Sequence, residues 1–174
     1  MNRRPLLLIA LCLLAVSSSA YNVEDYEEAA GMSFSIYGNP HDSIYGIGFE
    51  DGTWLTGTPI LGVFFVNTLR HDDLDATFGG AGMIFRIMPH WQFAPYAGGG
   101  ASYNQLFSSN SKEQDKLPED ERIESTWAGH AEAGLRMCLP GGIHFFELYG
   151  RQTWSAAEAV GNYWTAGFAY GQSW

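Results

Sequence analysis

Apolar and polar side chains alternate with a period of two along most of this chain, most cleanly in the last stretch, residues 162–174. There Trp164, Ala166, Phe168, Tyr170 and Trp174 share one parity, and Thr165, Gly167, Ala169, Gly171 and Ser173 the other. A period of two is the mark of a β-strand, whose successive side chains leave on opposite faces. One face is aromatic and the other small. A narrow closed barrel needs small residues somewhere on its inner face, so the aromatic face is expected to point at lipid.

Seven more strand-length segments precede it, most of them with the same alternation. Residues 31–37 carry Met32, Phe34 and Ile36 against Ser33, Ser35 and Tyr37, and residues 43–50 carry Tyr45, Ile47 and Phe49 against Gly46, Gly48 and Glu50. The segment from Thr58 to Arg70 is apolar almost throughout, so parity does not assign its faces. Residues 76–88 set Ala81, Met83, Phe85 and Ile87 against Gly80, Gly82 and Arg86, and a fifth strand is expected over 93–107. Residues 126–139 set Trp127, Ala131, Ala133, Leu135, Met137 and Leu139 against Ala128, His130, Glu132, Gly134, Arg136 and Cys138. Residues 143–155 set Phe146, Leu148 and Trp154 against Glu147, Arg151 and Thr153.

Turn signals separate these segments: Asn39-Pro40-His41-Asp42, Asp51-Gly52, the polar run 70–75, Pro89-His90-Trp91, the charged block 108–125, Pro140-Gly141-Gly142 and residues 156–161. Eight strands of this length predict an all-β, eight-stranded antiparallel up-and-down transmembrane barrel, for which ~9–11 residues per crossing suffice. Counting back from a last strand that ends in the periplasm, the connections at Asp51, Pro89 and Pro140 are periplasmic. Those at Asn39, Arg70, Ser108 and Ala156 then face outward, which puts the longer, more polar loops outside.

Composition sharpens this picture. Residues 1–20 place Arg3 and Arg4 before the apolar run Leu6 to Val16 and end in small residues, the layout of a secretory signal with cleavage expected after Ala20. The apolar run is about half of the roughly 20 residues that a spanning helix needs. The expected domain is therefore 21–174, opening on an acidic periplasmic lead-in. The whole chain carries −10, and loss of the two arginines makes the mature part more acidic still. That balance argues against nucleic-acid partners. Cys138 is the only cysteine after residue 20, so neither an internal disulfide nor a paired-cysteine zinc site is expected.

The signal, the run Pro95-Tyr96-Ala97-Gly98-Gly99-Gly100-Ala101-Ser102-Tyr103 and the aromatic last residue together resemble the small eight-stranded bacterial outer-membrane β-barrel family. The resemblance implies outer-membrane localisation, lipid and lipopolysaccharide as surroundings, and the barrel assembly machinery as the partner that reads the terminal strand. Residues 149–162 also resemble, more narrowly, the site region of the outer-membrane lipid A 3-O-deacylases, in which a His-x-Ser-Asn motif supplies base and nucleophile. Aligning the family serine with Ser155 puts Thr153 where the histidine belongs and Ala156 where the asparagine belongs. A serine hydroxyl without a neighbouring base is a poor nucleophile. His130, oriented by Glu132 or Glu158, is the remaining candidate base.

Inward parity collects Glu50, Arg86, His130, Glu132, Arg136, Glu147 and Arg151. An eight-stranded barrel is filled by its own side chains, so these charges are expected to pair as a lumen network. A narrow ion path, or a pH switch through His130, is the alternative. His41, His71 and His90 fall in turns and His144 opens a strand; none has a partner at metal-ligand spacing, and neither a metal nor a cofactor is expected. Trp54, Trp91, Trp127, Trp154, Trp164 and Trp174 lie near strand ends, as aromatic girdles do. The reading is a monomeric outer-membrane barrel with a structural or surface-interaction role, whose 108–125 loop is the expected contact surface. A lipid A deacylase-like hydrolase and a narrow channel are the alternatives. A soluble secreted barrel such as a lipocalin would reverse the faces, with bulk inward and charge outward.

Overall fold

The computed structural model describes residues 31–41, 43–72, 76–109, 125–141, 143–156 and 162–173. They form eight strands: β1 (Gly31–Asn39), β2 (Ile44–Trp54), β3 (Ile60–His71), β4 (Ala76–Ile87), β5 (Phe93–Ser109), β6 (Ser125–Cys138), β7 (His144–Ser155) and β8 (Asn162–Ser173). Each strand pairs antiparallel with the next, and β1 also pairs with β8, so the sheet closes into an up-and-down barrel. Closure removes every sheet edge. The expected signal segment, the acidic lead-in, Glu158, Trp174 and most of the 108–125 loop lie outside the described residues.

The faces settle as the alternation implies. Phe168, Tyr170 and Leu135 are 40%, 45% and 37% exposed on the outside, whereas Glu132 and Arg136 are 5% and 8% exposed inside. This is the reverse of a soluble barrel with an apolar core. Large apolar side chains are exposed on all eight strands, among them Met32, Phe49, Phe64, Ile87, Tyr103, Trp127, Leu148 and Trp164. The apolar strand β3, whose parity was silent, turns Leu61, Val63, Phe65 and Leu69 inward and Phe64 and Val66 outward.

Inward bulk is paired with inward absence of bulk on the neighbouring strand. The ring of Tyr149 lies over Gly167, where an added Cβ would stand 2.2 Å from ring carbon Cζ, and Phe145 covers Gly171 in the same way. Tyr37 on Gly46, Tyr96 on Gly134 and Phe65 on Gly82 repeat the device. The small face of β8 is thus the seat for rings projecting from β7.

Several boundaries differ from those the sequence predicts. Asp51-Gly52 is not a turn: Asp51 pairs with Met32 and Phe64, and Gly52 with Gly31 and Val63. Alternation continues through both residues, with Asp51 out and Gly52 buried beneath the Leu61 side chain. A two-sided ladder outweighs a local turn preference that only two residues carry. The reversal falls instead at Leu55-Thr56-Gly57-Thr58-Pro59, where Gly57 takes φ +72° and the Leu55 N–H donates to the Ile60 carbonyl at 2.9 Å. Thr58 accordingly belongs to the turn and β3 starts at Ile60. His71, placed in a loop by sequence, closes β3 as a buried inward residue opposite Ala76. β5 runs on to Ser109, with a register shift opposite Thr77 and Phe78. Pro95 precedes the β4 ladder, which begins at Ala97, and so sits at an edge where a strand tolerates a missing N–H.

Candidate functional site

Two pairs of opposite charges face each other directly across β6 and β7: Glu132 stands opposite Arg151, and Arg136 opposite Glu147. The remaining pair comes from far along the sheet, Glu50 on β2 and Arg86 on β4. Closure of the barrel brings all six side chains into one connected network in the lumen.

Arg86 is the hub. Its Nη2 donates to Glu50 Oε2 at 2.8 Å and its Nη1 to Glu147 Oε2 at 3.3 Å, while its Nε bonds Glu132 Oε1. Arg151 joins Glu132 Oε2 at 2.8 Å and Glu50 Oε1 at 3.2 Å through Nη2. Arg136 reaches Glu147 Oε1 through Nε at 2.5 Å. Three carboxylates and three guanidiniums balance, which is the condition for placing full charges in a water-poor interior. Aromatic rings cover the guanidinium faces: Tyr96 for Arg86 at 4.9 Å, Phe145 for Arg136 at 4.2 Å, and Phe65 for Arg151 at 5.0 Å. Cations stacked over rings gain further attraction without added negative charge.

His130 shares the lumen but not the ion network. Its Nε2 is 2.8 Å from Ser102 Oγ and its Nδ1 is 3.1 Å from Thr153 Oγ1, and Phe65 packs edge-on against the ring. Asn104 Nδ2 donates to Ser102 Oγ at 2.9 Å, extending a neutral hydrogen-bonded cluster toward the end of the barrel where β5 ends and β6 begins. Ser155 lies one inward position beyond Thr153, opposite Ala128, and its hydroxyl is 3.2 Å from Thr126 Oγ1. The three residues considered for hydrolysis are therefore held by separate partners: Ser155 by Thr126, His130 by Ser102 and Thr153, and Glu132 by Arg86 and Arg151. At that end Asn104, Thr126, Ser155 and Tyr163 line a cavity with Leu69 and Phe78, with space for about one water molecule.

Sequence parity does not single out Ser102, Asn104, Thr153 or the rings beneath the arginines, because a hydroxyl or a tyrosine on an inward position is unremarkable until its partner is known. The recurrence of inward aromatics beside strands rich in glycine is the one signal available for the rings. The histidines divide: His90 stacks on Trp54 with centroids 4.2 Å apart, and His144 Nδ1 lies 2.9 Å from the hydroxyl of the outward Tyr170. The His41 backbone N–H donates to Asn39 Oδ1 in the first turn. Among the described residues no group of three or more His, Cys, Asp or Glu is arranged to hold a metal ion. Trp91, Trp127, Trp154 and Trp164 are exposed outside, as girdle residues would be. Trp54 is not one of them: it turns in and packs, half-buried, against the inner cluster. Neither a protein-family model nor a curated protein matches this chain.

Proposed function

We propose that this chain is an eight-stranded barrel of a bacterial outer membrane, monomeric, closed to ions, and structural or surface-interacting rather than catalytic. The observation that carries the reading is the inverted distribution of side chains: apolar bulk exposed on all eight strands around an interior of six paired charges. An exposed apolar surface that encircles a molecule has no stable place in water and a natural one in hydrocarbon. Closed pairing of all strands satisfies the other requirement of a bilayer, that no backbone polar group face lipid unpaired. The terminal strand is the element through which assembly machinery would recognise the protein, and the outer leaflet's lipopolysaccharide the amphiphile it would meet.

In this reading the ion network is a structural plug. The hydrolase reading gains no support from His130, whose ring nitrogens address Ser102 and Thr153, while the Ser155 hydroxyl lies 3.2 Å from Thr126 Oγ1. The protein is expected to fractionate with outer membranes and to migrate differently on gels with and without heating. Single-tryptophan variants in vesicles provide a sharper test: brominated lipid tails should quench Trp127, Trp154 and Trp164 and leave Trp54 bright. Equal quenching of all four, or of none, would defeat the membrane assignment.

A further inference from the structure

Strand β2 carries a carboxylate on the outer wall of the barrel. Asp51 points outward, with the exposed Met32 and Phe64 as its ladder partners and the exposed Phe49 next above it on the same face. Phe49 in turn packs edge-on against Phe34, with ring centroids 5.3 Å apart. Among the described residues the Asp51 carboxylate makes no ion pair and no hydrogen bond: Arg70 is held by Asp72, and Arg86, Arg136 and Arg151 by the lumen carboxylates. Its depth follows from the register. The ladder that runs from Met32 through Asp51 and Phe64 round the wall to Trp154 reaches β8 at Asn162, beyond Ala166, the partner of Gly38. It therefore climbs away from the end where β1 begins and β8 finishes, by ~3 Å per strand at a tilt of ~40°. From Asp51 to Met83 on β4 the climb is about 6 Å, whereas the descent along β4 from Met83 to the exposed Ile87 is about 10 Å. The apolar belt thus continues past the level of Asp51 on a nearby strand.

An ionisable side chain within the apolar belt of a membrane protein is costly and calls for a partner of opposite charge. Resting on the membrane reading above, which makes lipid the phase that faces β2, we propose that Asp51 binds the primary ammonium of an ethanolamine-type phospholipid, in the leaflet on the side of Gly31 and Ser173. A primary ammonium brings a positive charge and three N–H donors to the carboxylate. A choline head has the charge without an N–H, and a glycerol head has no positive charge. Met32, Phe49 and Phe64 supply the apolar flank against which the acyl chains lie. Drawing the headgroup down to Asp51 thins the bilayer locally at β2, which costs little per ångström.

The test uses the purified full-length protein in phosphatidylcholine nanodiscs, with the backbone amide resonances of Asp51, Gly52 and Phe64 as reporters and that of Ala133, on the outer face of β6, as control. Replacing part of the host lipid with phosphatidylethanolamine should move the three reporters saturably and leave Ala133 in place, while phosphatidylglycerol should not move them. Asp51→Asn keeps the strand pairing and removes the charge, and should weaken the response to phosphatidylethanolamine about fivefold, the upper end for an exposed ion pair. A shift that stays linear in lipid fraction, that phosphatidylglycerol reproduces, or that persists in Asp51→Asn overturns the site. No shift at all, the outcome if a partner protein's lysine or arginine is the true counter-ion, overturns the lipid assignment. Should Asp51→Asn fail to fold, the comparison of the lipids on the unaltered protein still decides. A protein that stays soluble without detergent and does not enter nanodiscs removes the membrane reading itself, and the site with it; one that enters but does not discriminate among the lipids removes the site alone.

Discussion

At Gly167 the absence of a side chain is what lets Tyr149 lie flat against the inner wall, since a Cβ there would stand 2.2 Å from the ring. Gly167→Ala is therefore expected to destabilise the barrel by about 1–3 kcal/mol through overpacking. Gly150, on the outer face of the same hairpin, has nothing within 4 Å of its would-be Cβ, so Gly150→Ala should leave the denaturant midpoint unchanged within error. A comparison of the two unfolding curves separates steric seating from any general effect of replacing glycine in a strand. Arg86 is the opposite case, a residue whose bulk and charge are both required. Its removal leaves Glu50, Glu132 and Glu147 sharing two guanidiniums, and a broken buried pair typically costs about 3–5 kcal/mol. Arg86→Gln should lower the urea midpoint well beyond what Gly167→Ala does; an equal or higher midpoint would mean that the network contributes nothing net.

The strand that best illustrates how elements are decided is β2. Asp51-Gly52 has the composition of a tight turn, yet both residues are paired on two sides, to β1 and to β3. In a strand flanked on both sides every N–H is committed to one ladder or the other, so proline has no tolerated position there. Asp51→Pro should prevent closure and abolish the heat-dependent gel shift, whereas Thr56→Ala, in the turn that replaces it, should preserve the shift. Were Asp51→Pro to fold normally, the chain would reverse at Asp51 after all. The same logic places the cavity-forming residues: Trp54 ends the extended β2 facing inward, and so reaches His90 in place of the outer surface.

For the molecule as a whole, the consequence of six charges paired in one lumen network is occlusion. Arg86 spans from β4 to β2, β6 and β7, crossing the lumen that an ion would have to traverse. The protein reconstituted in planar bilayers is expected to show no discrete conductance steps at neutral pH. Stepwise currents from the unaltered protein would overturn the plug and revive the narrow-channel alternative. His130 does not alter this expectation by contact, because its two nitrogens address Ser102 and Thr153 and not the carboxylates.

Strand number, the facing of six strands and the inward placement of Glu50, Arg86, Glu132, Arg136, Glu147 and Arg151 are all legible in the linear pattern. A pleated chain sends alternate side chains to opposite faces whatever lies beside it, so parity alone carries that information. The apolar segment that became β3 offered no contrast between its two parities, and its facing was settled only by register against Glu50 and Arg86. Partners are a different matter. Which carboxylate meets which guanidinium, why Arg136 has one acceptor where Arg86 has three, and that His130 sits among hydroxyls depend on closure, which places residues from strands distant in sequence a few ångströms apart. Tertiary structure decided the pairing because electrostatic contact falls off with distance in space, and separation along the chain says nothing about that distance until the barrel is shut.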